Sequence, residues 1–328
     1  MNRPLLPLLL LSAMASPAMA GGLSLMVPAY FDPQPGGDWD RLAVAAKRVP
    51  LVAIMNPNSG PGTSASAQYT RAIQAVRTAS GRVTGYVSTA YGKRPTADAE
   101  ADILRYHQWY TIDGFFLDEM SNDGGTNSVA YYQELHDYIV RLKATYQVTG
   151  NPGTQTQEIY ITKPTVDTLV TFENGSGYAG YVPSAWNKKY PAYRFCHLLH
   201  SVASTATLTN TVQLAQARNA GFLYVTDDVL DNPWDTLPTY WDTELNLIET
   251  ANRAAAEIQP PKVDLKRTGA DAGRLEVNGP AGRYVVSRSL NLPTWSPLTT
   301  NLTFTGQVVF DPVLFTAAAS TFFRASIE

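Results

Sequence analysis

Between residues 23 and 258 short apolar runs alternate with helical segments, and this alternation narrows the possible architectures more than any other feature of the chain. Strands are expected at Leu23 to Val27, Leu51 to Met55, Val83 to Ser88, Gly114 to Leu117, Glu158 to Thr162, Leu169 to Phe172, Arg194 to Leu199 and Phe222 to Thr226. Helical spacing is clearest over 40–48, 65–78, 97–109, 128–146, 209–219 and 240–257. Repeated strand-helix units imply a parallel sheet, and eight of them in roughly 235 residues is the size of a closed barrel. An open doubly wound sheet fits less well, because the first strand runs into Pro28-Ala29-Tyr30-Phe31 rather than a glycine-rich phosphate turn. The expected fold class is therefore α/β, a TIM-like eight-stranded (β/α) barrel over residues 21–258.

The helical pattern stops at Gln259-Pro260-Pro261-Lys262, a stiff linker over 259–262. Beyond it, runs such as Arg274-Leu275-Glu276-Val277 and Gln307-Val308-Val309-Phe310 alternate in polarity between Gly, Pro and Asn. Residues 263–328 are thus expected to form a small all-β module, resembling the β-sandwich modules appended to secreted bacterial enzymes.

At the other end, Arg3, the apolar stretch Leu5 to Leu11 and the small-residue pattern Ala18-Met19-Ala20 have the form of a signal peptide over 1–20. A secreted or periplasmic protein is expected. Lone Cys196 has no partner for an internal disulfide, so stability must come from packing. No other apolar run approaches the ~20 residues of a membrane span. With Lys+Arg at 25 against Asp+Glu at 28, the chain lacks the basic excess that a nucleic-acid partner would want. A monomer is expected.

In such a barrel, chemistry belongs to the residues at the carboxyl ends of the strands. Two apolar runs end on acids there: Phe115-Phe116-Leu117-Asp118-Glu119 and Val170-Thr171-Phe172-Glu173. Two converging carboxylates are the equipment of a glycosidase. Successive strand residues face opposite ways, so Asp118 and Glu119 share the cleft only if the strand has already ended. Their plainer reading is a capping or salt-bridged pair at a turn, but an acid abutting Phe115-Phe116-Leu117 has the desolvated setting that catalysis exploits.

Other strand ends offer Tyr30, Asn56, Tyr86, Tyr91, His200 and Asp227 as substrate-binding candidates. Each has a structural alternative: Asn56 lies in a Pro- and Gly-rich turn, Tyr86 and Tyr91 suit a core, and Asp227 can cap the loop into Asn232-Pro233-Trp234. His197 and His200 have a spacing that suits a metal on a helix, but on a strand it sends them to opposite faces. No metal or cofactor is expected. The nucleophile elbow, the phosphate loop and the His-Glu-x-x-His helix are all missing.

The ordered series Asn56-Pro57-Asn58-Ser59-Gly60-Pro61-Gly62, Gly85-Tyr86-Val87-Ser88-Thr89-Ala90-Tyr91-Gly92, Ile112 through Glu119, Asn151-Pro152-Gly153-Thr154, Phe172-Glu173 and Tyr224-Val225-Thr226-Asp227 resembles the spherulin-4 (spherulation-specific) family over about residues 23 to 250. That family in turn resembles glycoside hydrolase family 135, barrel enzymes that cleave an exopolysaccharide containing α-1,4-linked N-acetylgalactosamine. The resemblance implies Asp118 and Glu173 as the catalytic carboxylates, with Glu119 completing the cluster. By analogy with retaining enzymes, it implies Asp118 as nucleophile and Glu173 as general acid/base. The implied partner is an aminosugar polysaccharide, cut in endo fashion. A noncatalytic glycan-binding or matrix protein using the same groove is the rival expectation.

Overall fold

The computed structural model describes residues 22–268, 272–303, 307–314 and 321–327. The leader expected over 1–20 lies outside the described residues. Eight strands close a barrel in sequence order: β1 Ser24–Ala29, β2 Leu51–Met55, β3 Arg82–Ser88, β4 Gly114–Asp118, β5 Gln147–Gly150, β6 Thr168–Asn174, β7 Phe195–Leu199 and β8 Phe222–Val225. Each runs parallel to its neighbour, and β8 pairs back onto β1 through Ser24 with Phe222 and Leu25 with Leu223. All six residues of β1 and all five of β2 are buried, as expected of strands sandwiched between a filled interior and a helical coat.

The coat comprises α1 Asp38–Ala45, α2 Ala67–Thr78, α3 Thr96–Trp109, α4 Thr126–Leu142, the single turn α5 Ile159–Thr162, α6 Thr205–Ala217 and α7 Trp241–Ile258. Serine hydroxyls start two of them, Ser66 accepting from the Tyr69 amide and Ser204 from the Thr207 amide. Each helix buries one stripe. In α7 the stripe includes Leu245, Ile248, Ala251 and Ala255. Two polar residues of the same helix tie it to the barrel. Asn252 takes both the amide and the carbonyl of Leu23, at 2.6 and 2.9 Å. The Val225 amide donates to Glu244 Oε1 at 2.9 Å.

One expected strand is wrong. Glu158 to Thr162 holds the turn α5, and the fifth strand is Gln147–Gly150, directly after the span 128–146 read as helix. α4 stops at Leu142, and the chain then turns so that Phe115 pairs with Val148 and Leu117 with Gly150. Ile159-Tyr160-Ile161-Thr162 has the composition of a strand, but Tyr160 and Ile161 are buried from a helical turn. The true strand carries one large apolar residue, Val148, and ends on a glycine for want of room. A Cβ at Gly150 would lie 2.4 Å from Met120 Sδ and 2.8 Å from Val166 Cγ1. Between β6 and β7, where the sequence shows no clear helical spacing, three short 3-10 turns stand, Tyr178–Gly180, Ala185–Lys189 and Ala192–Arg194.

After α7, six strands form two three-stranded antiparallel sheets. β10 Ala272–Asn278 lies between β9 Lys262–Arg267 and β13 Gln307–Leu314, and β11 Gly282–Ser289 lies between β12 Ser296–Thr303 and β14 Phe322–Ile327. Leu275, Val277, Tyr284 and Val286 form their shared core. The fold class read from the sequence, a (β/α) barrel followed by a small all-β region, is the one observed.

Candidate active site

Two local departures from regular strand geometry aim the acids. β4 ends at Asp118, and Glu119 follows with φ at 52°, in the left-handed region that a residue with a Cβ seldom occupies. That kink stops the strand's alternation. Thr89, in the exit of β3, holds it: its hydroxyl donates to the carbonyls of Asp118 and Glu119 at 2.8 and 2.9 Å, and its amide donates to the Asp118 carbonyl at 3.0 Å. The fully buried Tyr132 hydroxyl, 3.0 Å from Thr89 Oγ1, accepts from the Ser121 amide on the far side of the kink.

β6 carries the second departure. Val170 pairs with Cys196 but Phe172 pairs with His197, so Thr171 is an extra, unpaired residue. Without this bulge, Glu173, three positions past Val170, would point to the opposite face from it. With it, Phe172 turns toward the helices and Glu173 turns into the barrel mouth. Phe172 packs on Tyr178 and Tyr181 with ring centroids 4.8 and 4.9 Å away, and on His197 at 6.3 Å. The Tyr181 hydroxyl takes the bulged Thr171 carbonyl at 3.0 Å. Arg218 caps the group, its guanidinium 4.5 Å above the Tyr178 ring.

Asn151, at the exit of β5, joins the two acids. Its Nδ2 donates to Asp118 Oδ1 at 2.7 Å and to Glu173 Oε2 at 2.7 Å. The amide cannot be turned over, because its Oδ1 accepts from the Gly153 amide at 2.9 Å. Two bonds of 2.7 Å from one nitrogen keep those carboxylate oxygens within 5.4 Å, twice 2.7.

The acids differ in support. Burial raises the Asp118 carboxyl, but hydrogen bonds from the Tyr86 hydroxyl, the Glu119 amide and Asn151 pull it back toward the ionised form. Burial, and then the charge of Asp118, push Glu173 up to about 7, with only Asn151 opposing. The pair can therefore hold one carboxylate beside one carboxylic acid near neutral pH. Tyr86 and Tyr30 stand over the acids, their rings edge to face at 5.5 Å. Burial and the Asp118 charge keep both hydroxyls protonated.

The other predicted residues are placed as follows. Glu119 turns to Ser88, whose hydroxyl donates to its Oε2 at 2.5 Å, and it acts on Asp118 as a neighbouring charge. Asn56 accepts from the Gly60 amide at 2.9 Å inside its own turn. Asp227 accepts from the amide and hydroxyl of Thr239, holding the loop after β8. Tyr91 is exposed in the 3-10 turn Ala90–Gly92, its amide donating to the Glu119 carbonyl at 2.7 Å. His200 lies at the exit of β7, edge to face with Trp234 at 5.9 Å and bonded through Nδ1 to Ser201 Oγ at 3.0 Å. His197 faces away from it, as expected. It is buried against the Tyr178 hydroxyl at 2.8 Å, with its pKa pushed down to about 3 chiefly by burial. Burial likewise raises the Cys196 thiol, which keeps it unreactive. Among the described residues no group of three or more His, Cys, Asp or Glu is arranged to hold a metal.

The residue that chemistry alone did not single out is Asn151. Its turn entered the sequence analysis only through resemblance, because the strand before it, Gln147–Gly150, was not among the expected strands.

The family described as Spherulation-specific family 4 matches residues 24–248, the span of the barrel. Spherulin-4 of Physarum polycephalum is 32% identical over 242 residues, covering 70% of this chain and 71% of that one. The crystal structure of Aspergillus clavatus Sph3 in complex with GalNAc matches with a TM-score of 0.61 and 26% identity, over 70% of this chain and 99% of that one.

Proposed function

This chain belongs to the spherulation-specific family 4, and from that premise we propose that it is an exported glycoside hydrolase that cuts an α-1,4-linked galactosamine or N-acetylgalactosamine polysaccharide internally, with retention of configuration. The observation that carries this reading is the bridging of Asp118 and Glu173 by one amide nitrogen. With one oxygen of each acid within 5.4 Å of the other, the pair favours the ~5 to 5.5 Å spacing of retaining enzymes over the ~6.5 to 9.5 Å of inverting ones, which leave room for a water. The GalNAc held by Sph3 supports an aminosugar as the unit recognised.

Asp118, with three donors favouring its ionised form, attacks the anomeric carbon. Glu173, protonated near neutrality, gives its proton to the departing glycosidic oxygen. The glycosyl ester on Asp118 is then opened by a water whose proton returns to Glu173. In an α-linked 2-acetamido sugar the acetamido group lies on the same face as the leaving oxygen, so it cannot displace that oxygen from behind. The nucleophile must come from the protein. Residues 21–258 carry the chemistry, the leader over 1–20 directs export, and residues 263–328 are an appended module.

The test is release of reducing ends from galactosaminogalactan by the purified chain, beside Asp118→Asn and Glu173→Gln. Oligosaccharides from wild type, with each variant slowed about 10³-fold or more, support the reading. Saturable polymer binding without cleavage would replace it with a glycan-binding role.

A further inference from the structure

We propose that a second sugar-binding subsite lies beyond His200, in a cleft of about 330 Å³ between the exit loops of β6 and β7. The cleft is bounded by Gly175 and Ser176 on one side and by Ser201, Ser204 and Thr207 on the other, with Asn210 of α6 at its outer edge. This inference rests on the glycosidase reading and adds where a further unit of the same polymer sits.

Position is the first argument. Glu173, near the end of β6, and Gly175, just past it, are two residues apart, and His200 packs against that exit loop beside the cleft. A Cβ built on Gly175 would fall 2.7 Å from His200 Cε1, so the loop lies flush against the imidazole. On the other side of His200 its Nδ1 meets Ser201 Oγ, which lines the cleft. The cleft starts at the exit loops on the face where ligands of this fold bind and runs down between Tyr178 and α6, so a polymer chain passing the acids toward β7 meets its upper end beside His200.

Chemistry is the second. Apart from the Tyr178 phenol, the lining has no ionisable side chain. Its walls carry hydroxyl and amide groups, and its floor is the apolar surface of Tyr178, Leu199, Val202 and Leu214. Ser204 and Thr207 hydroxyls lie 2.9 Å apart, a pair able to bond adjacent hydroxyls of a pyranose. An apolar floor with a few convergent neutral polar groups fits an uncharged polyhydroxylated ring better than an anion or a cation, and the volume lies at the lower end of the ~300–1,000 Å³ of small-ligand sites. Small residues at Gly175, Gly177, Ala179 and Ala203 keep the cleft open.

The experiment fills the cleft from its exposed rim with Ala203→Trp and, separately, trims its edge with Asn210→Ala, both checked for an unchanged melting curve. The two variants and wild type are compared on long galactosaminogalactan and on the shortest N-acetylgalactosamine oligomer that is cleaved. Ala203→Trp is expected to lower kcat/KM on the long polymer about tenfold, ~1.4 kcal/mol, through KM, while leaving the short oligomer unaffected, with Asn210→Ala showing the same pattern in weaker form. Cleavage by wild type with no change of length preference in either variant overturns the subsite and leaves the glycosidase reading intact. If wild type cleaves neither substrate, calorimetric titration with the uncut polymer decides. Weaker binding by Ala203→Trp supports the subsite, whereas equal or no binding overturns it.

Discussion

Asn151 donates to Glu173 at 2.7 Å from the same nitrogen that holds Asp118, so one neutral side chain fixes the spacing of the two carboxyls and favours the ionised form of both. Removing it should do more than slow the reaction. Its bonds lower the proton affinity of both acids. Asn151→Ala is therefore expected to reduce kcat by about 10²- to 10³-fold, as for loss of a preorganised donor, and to move both limbs of the pH–rate profile to higher pH. A slowed variant with an unshifted profile would show that Asn151 does not set these affinities.

Glu173 makes stability as well as activity depend on pH. Its carboxyl rises from an ordinary 4.5 to about 7 on folding, so below pH 4.5 it is protonated in both states. Between about 4.5 and 7 the native state keeps a proton that the unfolded chain releases, and stability falls as pH rises through that window. Glu173→Gln has no such charge to bury. Its melting temperature is expected to gain on wild type progressively from pH 4.5 to pH 8, and an offset that stays constant with pH would contradict this. The alkaline limb of wild-type kcat/KM should fall near pH 7 for the same reason.

The Thr171 bulge predicts a remote effect. Tyr181→Phe removes the hydroxyl that satisfies the bulged carbonyl while keeping the ring packed on Phe172. About 1–3 kcal/mol of stability should be lost, with a drop in kcat and little change in KM, because Glu173 is then aimed less well. A stability loss with full kcat would mean that the bulge holds without Tyr181.

Thr89 offers a similar test on the nucleophile side. Thr89→Val keeps the shape but leaves the Asp118 and Glu119 carbonyls without their hydroxyl donor, and should cost about 1–3 kcal/mol with loss of activity. Thr89→Ser should restore most of both. Equal behaviour of the two variants in chemical denaturation and turnover would remove the hydroxyl from the account.

The barrel was legible because its signals are local and repeated. Leu51 to Met55 is apolar on both faces, and 240–257 keeps a helical stripe, so each announces its own structure. β5 was not legible: Val148 is its only large apolar residue, and its ending on Gly150 reflects the crowding of Met120 and Val166, contacts made far along the chain. At the site, Asp118 and Glu173 could be picked out as acids closing apolar runs. Their aim could not. Simple alternation turns Glu173 away from Val170, and only the unpaired Thr171 reverses it. Glu119 could not be separated from Asp118 until its left-handed backbone sent it to Ser88. Asn56 and Asp227 show the converse, since polar residues at strand ends serve their own loops unless a longer-range geometry recruits them.

The most direct test of the paired-acid account is the stereochemistry of the first product, followed by proton NMR as the enzyme cuts an α-linked N-acetylgalactosamine oligomer. Two carboxyls held this close by Asn151 predict that the new reducing end appears first as the α-anomer and only later mutarotates. A β-anomer appearing first would contradict the account, because inversion needs a water between acids held farther apart than this pairing implies.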